Sequence, residues 1–341
     1  MKPKIKDSTM IPENQPGARL NLWRGLQEQF GKLDEPQGNF TGQTVIVTGS
    51  NTGIGREAAR RFVRMGAAKV ILACRNTVAA EAAKRDIEAT TDTTNVVEAW
   101  HIDLSSFDSV KAFATRAAEL ERLDILVNNA SVLPMKYEEK EGYESMLTVN
   151  TISTLLLTLL VLPTLRKSGV RHNATPKIVT VSSDGAFMTS FSQKTAPVIF
   201  EELRKDSDMN ARYNTTKLLQ LVVMHRLALA TNESGKGHVI MNSLNPGLVR
   251  SDLFRNVPFP FSLLVSGLNW IFGRTAEVAS CTIIDSALQG EDSHDTFRSS
   301  CEQRRYPEIL VGEDGEKLMN RVWSELLAIV EKIAPGATGE I

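Results

Sequence analysis

The sequence has few cysteines, almost no net charge and no long apolar run. Its 341 residues include three scattered cysteines, Cys74, Cys281 and Cys301. Such a set predicts reduced thiols in a cytoplasmic protein and excludes a disulfide framework. No cysteine and histidine spacing is that of a metal site, so no metal is expected. A net charge of −1 gives no reason to expect nucleic acid or an anionic membrane as a partner.

The N-terminal segment and the apolar segments do not indicate a membrane protein. No stretch reaches the roughly 18 apolar residues that a membrane span needs. The polar start carries scattered lysines that no apolar run follows, so a secretory signal is not indicated. We predict an extension over residues 1–40, in which a short amphipathic helix over 20–30 packs on the domain; a disordered tail is the alternative.

A β-branched run over residues 44–48 enters a glycine-rich turn, and a helical stretch over 56–65 follows. Strand, glycine turn and helix form the dinucleotide-binding arrangement, in which the turn approaches the pyrophosphate and the helix N-terminus attracts it. A tight turn without a ligand is the alternative. The candidate cofactor residues in this turn are Gly49, Ser50, Asn51, Gly53, Ile54 and Gly55.

The spacing Gly-x-x-x-Gly-x-Gly resembles that of the short-chain dehydrogenase/reductase family. The second strand, 69–74, ends in Cys74, where NAD enzymes of the family usually have an aspartate, and Arg75 follows. A guanidinium grips a phosphate with two parallel hydrogen bonds. The resemblance therefore implies NADP(H) rather than NAD(H) as the cofactor, with Arg75 at the 2′-phosphate. A surface arginine paired with an acid of the next helix is the alternative.

Three further motifs match the family in order. Asp103 and Leu104 follow a strand over 95–101, and the resemblance implies that Asp103 binds the adenine; a helix N-cap is the alternative. Asn129 follows a strand over 123–127 and is implied to lie against the cofactor ribose, or only to tie strands together. Asn150, within a helix over 143–165, is implied to hold a water on a proton path from a lysine; a surface asparagine is the alternative.

The catalytic candidates are a serine, a tyrosine and a lysine. Ser183 ends a strand that starts at residue 177, where open parallel sheets bind ligands; Ser182 is the second choice. Tyr213 and Lys217 are four residues apart and share a helix face. We expect the lysine to lower the pKa of the phenol so that it can exchange a proton with a carbonyl or alcohol oxygen. An accidental pair is the alternative.

The segments that flank this motif differ from those of many relatives. Residues 184–212 form an insertion that resembles those of retinol-dehydrogenase-like members and of reductases from fungal secondary-metabolite pathways, most closely the fungal group. We place it beside the substrate, with packing or oligomerisation as the alternative. After a strand over 238–244, Pro246-Gly247 turns the chain, and Val249 and Ser251 are implied to meet the cofactor. Residues 252–273 are predicted to form an apolar lid, or else a subunit contact or membrane-surface patch.

Taken together, these matches strengthen the resemblance, which implies an α/β fold with a doubly wound parallel sheet of the Rossmann type. We expect one domain over residues 41–300, after the extension and before a helical tail over 301–341. Because cells usually keep NADP pools reduced, the expected function is NADPH-dependent reduction of a ketone or aldehyde of a lipophilic or aromatic molecule. Alternatives are a retinol- or sterol-type alcohol dehydrogenase and a non-enzymatic NADP-binding regulator. A homodimer through the helices that carry Asn150 and Tyr213 is left open.

Overall fold

The protein is described by a computed structural model that covers residues 22–205, 209–250 and 270–341. Its centre is a mostly parallel sheet with helices on both faces. The strands of the described ranges are β1 Thr44–Thr48, β2 Lys69–Cys74, β3 Val97–His101, β4 Ile125–Asn128, β5 Glu139–Lys140, β6 Tyr143–Glu144, β7 Lys177–Val181, β8 Ile240–Asn245, β9 Thr296–Ser299 and β10 Glu302–Arg304.

Nine helices are labelled here within the described ranges. They are α1 Leu22–Phe30, α2 Gly53–Arg64, α3 Thr77–Thr91, α4 Phe107–Ala118, α5 Ser153–His172, α6 Ile199–Lys205, α7 Met209–Glu233, α8 Ala276–Leu288 and α9 Gly312–Ile333. A short helix, Ser145–Leu147, and a π-helical turn, Thr148–Ile152, lead directly into α5. Short 3₁₀ turns complete the loops.

The order of strands places a crevice at the centre of the main sheet. That order is β10-β9-β8-β7-β4-β1-β2-β3, and only β10 runs antiparallel to its neighbour. The chain winds outward from β1 to β3 and then returns to the other side of β1 to form β4. Ligands of such sheets bind where the direction reverses, beyond the carboxyl ends of the strands. The predicted doubly wound parallel sheet is thereby confirmed.

The two faces of the sheet are covered by separate apolar cores. Val45 and Val47 of β1 belong to a core with α2, α3 and α8, whereas Ile46 belongs to a core with α4, α5, α7 and α9. Successive residues of a strand point to opposite faces. A strand covered on both faces reads as a continuous apolar run, which is why the sequence reveals β1 and β2 so clearly.

The helix predicted from residue 143 begins two residues later, and it extends to residue 172. Tyr143 instead pairs with Lys140 in a small hairpin, which Gly142 turns with a positive φ of 79°. The Glu144 carboxylate then accepts hydrogen bonds from the backbone N–H groups of Met146 and Leu147, at 2.9 and 3.2 Å. This side-chain cap fixes the start of the helix.

The helical segment Ser145–His172 is long and apolar enough to cross a membrane by composition, but 94% of its apolar window is buried inside the protein. It therefore has the character of a core helix. Helix α4 packs on one side of it, and the C-terminal turn reaches it through Arg166 and Glu340, 2.9 Å apart. Most of α7 is likewise buried, partly under α9. The two helices considered for a homodimer contact, which carry Asn150 and Tyr213, are thus largely covered by other parts of the same chain.

The insertion and the tail pack against each other. The Glu325 carboxylate of α9 accepts hydrogen bonds from the backbone N–H groups of Ile199 and Phe200, at 3.0 and 2.9 Å. Both insertion residues are buried in the larger core, as is Phe191. Packing is therefore the observed role of this part of the insertion. Residues 252–269 of the predicted lid lie outside the described residues, and only residues 270–273 are described.

Candidate active site

The glycine turn joins β1 to α2 and requires glycine for two different reasons. Gly49 and Gly53 have positive φ values of 65° and 61°, a backbone region that favours glycine. At Gly55, a Cβ atom would lie 2.8 Å from the carbonyl oxygen of Gly49 and closer still to the Asn129 amide. The turn therefore stays close to β4, and α2 begins with its N–H groups at the crevice.

Asn129 ties the end of β4 to the end of β1. Its Nδ2 donates to the carbonyl oxygen of Thr48 at 2.8 Å, and its backbone N–H donates to the Thr48 hydroxyl at 3.0 Å. The structural alternative of strand tying is thus observed. Its Oδ1 is buried and has no hydrogen-bond partner among the described residues. A buried polar atom without a partner is rare, so this oxygen is available to accept a hydrogen bond from a polar ligand.

At the end of β2, the two candidate residues face different surroundings. Arg75 is exposed, whereas Cys74 is buried with its Sγ 3.7 Å from the Ser50 hydroxyl. Burial raises the pKa of the Cys74 thiol. The thiol therefore stays neutral beside the glycine turn, while the Arg75 side chain is open to solvent.

Asp103 forms a local turn rather than the helix cap that the sequence offered as an alternative. Its Oδ1 accepts hydrogen bonds from the backbone N–H and the hydroxyl of Ser105, at 2.9 and 2.7 Å. The N-cap of α4 is Ser106, whose hydroxyl accepts from the backbone N–H of Ser109. Leu104 is buried in the larger core.

Ser183 and Tyr213 meet at the carboxyl end of β7. The Ser183 hydroxyl lies close enough to the Tyr213 phenol to lower its pKa, and it accepts a hydrogen bond from the backbone N–H of Gly185 at 3.1 Å. Ser182, the second choice, is buried and donates to the backbone carbonyl of Lys217 at 3.0 Å. The geometry therefore pairs Ser183, and not Ser182, with the tyrosine.

The expected lowering of the tyrosine pKa is wrong in this structure. Burial raises the pKa of Tyr213 to about 12, and the Ser183 hydroxyl only partly opposes that effect. Burial also lowers the pKa of the Lys217 amine to about 7. The amine lies 5.5 Å from the centre of the Tyr213 ring. Desolvation disfavours the charged form of each group, and it is the largest cause of both shifts.

Lys217 and Asn150 are joined by a residue that the motifs did not indicate. The Lys217 amine donates to the carbonyl oxygen of Val181 and to Oε1 of Gln220, both at 3.0 Å. Nε2 of Gln220 donates to the carbonyl oxygen of Asn150 at 2.8 Å. A buried polar residue one turn after Lys217, amid Leu218 and Leu221, is the signal that could have revealed it.

The Asn150 side chain is fully buried and fully engaged. Its Oδ1 accepts from the backbone N–H of Val132 at 2.9 Å, and its Nδ2 donates to the Val132 carbonyl at 3.1 Å and to the Thr216 hydroxyl at 3.2 Å. It lies in the π-helical turn before α5. Such turns are frequent at functional sites. The alternative of a surface asparagine is wrong.

The loop after β8 is held by the chain's first described helix. Gly247 has a φ of 80°, and buried Val249 forms an isolated bridge with Arg274. Gln29 of α1 donates to the carbonyl oxygen of Leu248 and accepts from its N–H, both at 2.9 Å. No pattern in the sequence predicted the contacts of Gln29 with Leu248 or of Val249 with Arg274. Ser251 lies outside the described residues.

The arrangement of strands and glycine turn defines a doubly wound α/β protein with a dinucleotide-type crevice. The family model described as short chain dehydrogenase matches residues 43–195. The short chain dehydrogenase/reductase dmxR8 of Cryptosporiopsis sp. is 38% identical over 317 residues, which cover 91% of this chain and 97% of that protein. The short chain dehydrogenase atnD of Emericella nidulans is 39% identical over 277 residues, covering 80% and 88%. The chain belongs to the short-chain dehydrogenase/reductase family and is an oxidoreductase.

Solved structures agree on the fold. The NADPH-bound carbonyl reductase from chicken fatty liver aligns with a TM-score of 0.58 at 18% identity, covering 78% of this chain and 100% of that one. A Burkholderia phymatum short chain dehydrogenase/reductase in complex with NAD aligns with a TM-score of 0.57 at 17% identity, covering 77% and 90%. Neighbours of this fold thus hold either nicotinamide cofactor.

Proposed function

We propose that this protein is an NADP(H)-dependent reductase of a ketone or aldehyde in a lipophilic or aromatic small molecule, acting in a fungal secondary-metabolite pathway. The observation that carries the proposal is the grouping of the Ser183 hydroxyl, the Tyr213 phenol and the Lys217 amine at the carboxyl end of the sheet. Fungal relatives that match nearly the whole chain support the pathway context.

The residues of the crevice fit a dinucleotide. The glycine turn leaves no room for a Cβ at Gly55, and Asn129 offers an unpartnered buried oxygen. In the proposal, the turn and the start of α2 hold the pyrophosphate, Asn129 and Lys217 hold the ribose groups, and exposed Arg75 holds the 2′-phosphate. The remaining contacts are Asp103 and Leu104 at the adenine, and Val249 and Ser251 near the nicotinamide.

The proton chemistry follows from the pKa of Tyr213. NADPH would supply the hydride when bound. With a pKa raised to about 12, the phenol stays protonated throughout the neutral range and is ready to donate. The hydroxyls of Ser183 and Tyr213 hold the carbonyl oxygen, and Tyr213 releases its proton to that oxygen as negative charge develops there. Lys217 places its amine beside the same phenol, 5.5 Å from the centre of the ring.

An apolar substrate is supported by the surface near the crevice. Trp270 and Ile271 are 71% and 58% exposed, and Leu248 beside the Gly247 turn is 37% exposed. Exposed apolar side chains that cluster near a site favour an apolar partner. We further propose that residues 41–300 are the catalytic domain, that 252–273 cover the substrate, and that 301–341 support the insertion.

The test is replacement of the proton donor. Tyr213→Phe should lower turnover of aromatic ketones with NADPH by about 10²-fold or more, since general acid catalysis contributes that much. Affinity for NADPH should stay within about twofold, because other groups make most of the proposed cofactor contacts. Loss of the absorbance of reduced nicotinamide follows turnover, and quenching of protein fluorescence follows binding.

Tyr137→Phe is the matched control. Its hydroxyl donates to the carbonyl of Arg204 at the protein surface, so the same chemical change there should leave turnover intact. If Tyr213→Phe retains the turnover of the unmodified protein, Tyr213 is not the proton donor. If neither protein consumes NADPH with any ketone of the panel, the reductase proposal is wrong for that substrate class.

A further inference from the structure

Helix α7 carries a buried glutamine, Gln220, beside the catalytic lysine. Gln220 is 2% exposed and follows Lys217 by one helical turn, with apolar Leu219 and Leu221 on either side in the chain. Burying an amide away from water costs free energy unless its hydrogen bonds are replaced. An amide at this position is therefore retained at some cost to stability, and its contacts indicate why.

The hydrogen-bond partners of the Gln220 side chain allow only one orientation of its amide group. Oε1 accepts from the Lys217 amine at 3.0 Å, and Nε2 donates to the backbone carbonyl of Asn150 at 2.8 Å. An amine cation has donors only, and a carbonyl has acceptors only. The amide cannot be reversed without losing both bonds. It is therefore a rigid link between the catalytic lysine and the Asn150 turn.

This link fixes the position of the amine and favours its charged form. Burial alone disfavours the lysine cation, and the carbonyl oxygens of Val181 and Gln220 are the acceptors that compensate it. A hydrogen bond to the charged form favours that form. An ammonium has three N–H groups, and these two contacts leave one for a ligand in the crevice.

We infer that Gln220 is a positioning residue that favours the charged form of Lys217 against the effect of burial and occupies the place where a water would otherwise connect the lysine to Asn150. The inference rests on the proposed function for the role of Lys217. A water can accept one proton and release another, but the amide N–H of glutamine is bonded to a carbonyl and does not pass a proton on. The family-based expectation of a water path from the lysine through Asn150 is replaced here by a fixed amide bridge.

The experiment measures the titration of Lys217 in the protein without cofactor. Carbon-13 NMR of protein labelled at the lysine Cε follows each amine with pH, and the signal of Lys217 is the one lost in Lys217→Met. In Gln220→Leu, which has a similar size but no hydrogen bonds, the midpoint should fall by about one pH unit, since one lost bond to a charged group is worth about that much. In Gln220→Glu, the carboxylate should raise it by at least about one unit.

Controls separate positioning from packing. Val223 lines the same small cavity as Gln220, so Val223→Ala perturbs the packing but should leave the midpoint unchanged. If Gln220→Leu does not fold, Gln220→Asn, whose shorter amide cannot reach both partners, should also lower the midpoint. Unchanged midpoints in the folded Gln220 variants would overturn the inference.

The readout does not depend on turnover. If no ketone is reduced by the unmodified protein but the midpoint moves as expected in both directions, the amide link stands and the reductase proposal fails. If ketones are reduced but the midpoint does not move, the reductase proposal stands and the inference about Gln220 fails. The two proposals are thus tested separately.

Discussion

The buried amine of Lys217 makes a quantitative prediction about stability and pH. Its pKa is lowered to about 7 in the folded protein from an ordinary value of 10.5. Between these two values the unfolded chain binds the proton and the folded protein does not, so the free energy of unfolding rises with pH. This contribution is complete above the unfolded pKa and is lost as the pH falls through the folded pKa.

The size of the effect follows from the shift. One pKa unit corresponds to about 1.4 kcal/mol, so a shift of about 3.5 units has an upper bound of about 5 kcal/mol over the full range. Between about pH 7 and about pH 9, where most proteins stay intact, the titration contributes about 2 kcal/mol. The amine is fully buried, so solvent screening does not reduce this value.

Lys217→Met removes the titration and keeps a side chain of similar length. It also leaves the acceptors on Val181 and Gln220 without their donor, a cost that does not vary with pH in this range. We therefore expect the free energy of unfolding of the unmodified protein to rise by about 2 kcal/mol more than that of the variant between about pH 7 and about pH 9.

Urea unfolding of the cofactor-free protein, followed by tryptophan fluorescence, gives the free energy at each pH by linear extrapolation. Other titrating groups are shared by both proteins and cancel in the comparison. Lys111→Met is the control, because that lysine is partly exposed beside Asp108 and should not change the slope. Parallel curves for Lys217→Met and the unmodified protein would refute the lowered pKa of the buried amine.

The remaining predictions concern the cofactor and the first helix. Arg75→Asp should shift the preference from NADPH toward NADH by at least about tenfold in kcat/KM, since it removes a charge-assisted bond to the 2′-phosphate. Arg85→Asp, an exposed change on the next helix, should leave this preference unchanged. If both variants have the same ratio of kcat/KM for NADPH and NADH, the proposed role of Arg75 is excluded. Gln29→Ala should lower the Tm by about 2 °C, because it deletes its hydrogen bonds to the Leu248 backbone. Calorimetry of Gln29→Ala beside Gln27→Ala, an exposed neighbour, decides this, and equal Tm values would mean that α1 adds no stability there.

The central part of the fold was predictable because its signals are local. The strands β1 and β2 were predicted with their observed bounds, since strands buried on both faces are continuous apolar runs. The last two strands, β9 and the edge strand β10, were not predicted. Short polar segments such as Glu302–Arg304 carry no apolar pattern, and they become strands only because a neighbouring strand offers its hydrogen bonds.

The site shows the same limit. The spacing of Tyr213 and Lys217 identified the pair, but it gave the wrong direction for the tyrosine pKa. Spacing reports which side chains are neighbours, whereas the pKa depends on how much water the finished fold removes from them. Gln220 was missed for a related reason: an isolated polar residue in an apolar helix has meaning only when its partners from another element are known.

The contacts of α1 also determine the order in which the chain can assemble. Gln29 bonds to Leu248, 219 residues later, and Glu28 pairs with Arg304 at 2.8 Å. Domains begin to fold during synthesis from the N-terminal side. Helix α1 therefore cannot make these contacts until the loop after β8 and strand β10 have emerged from the ribosome. A truncated chain that ends before β9 therefore lacks Arg304 and cannot complete the contacts of α1 on this side of the crevice.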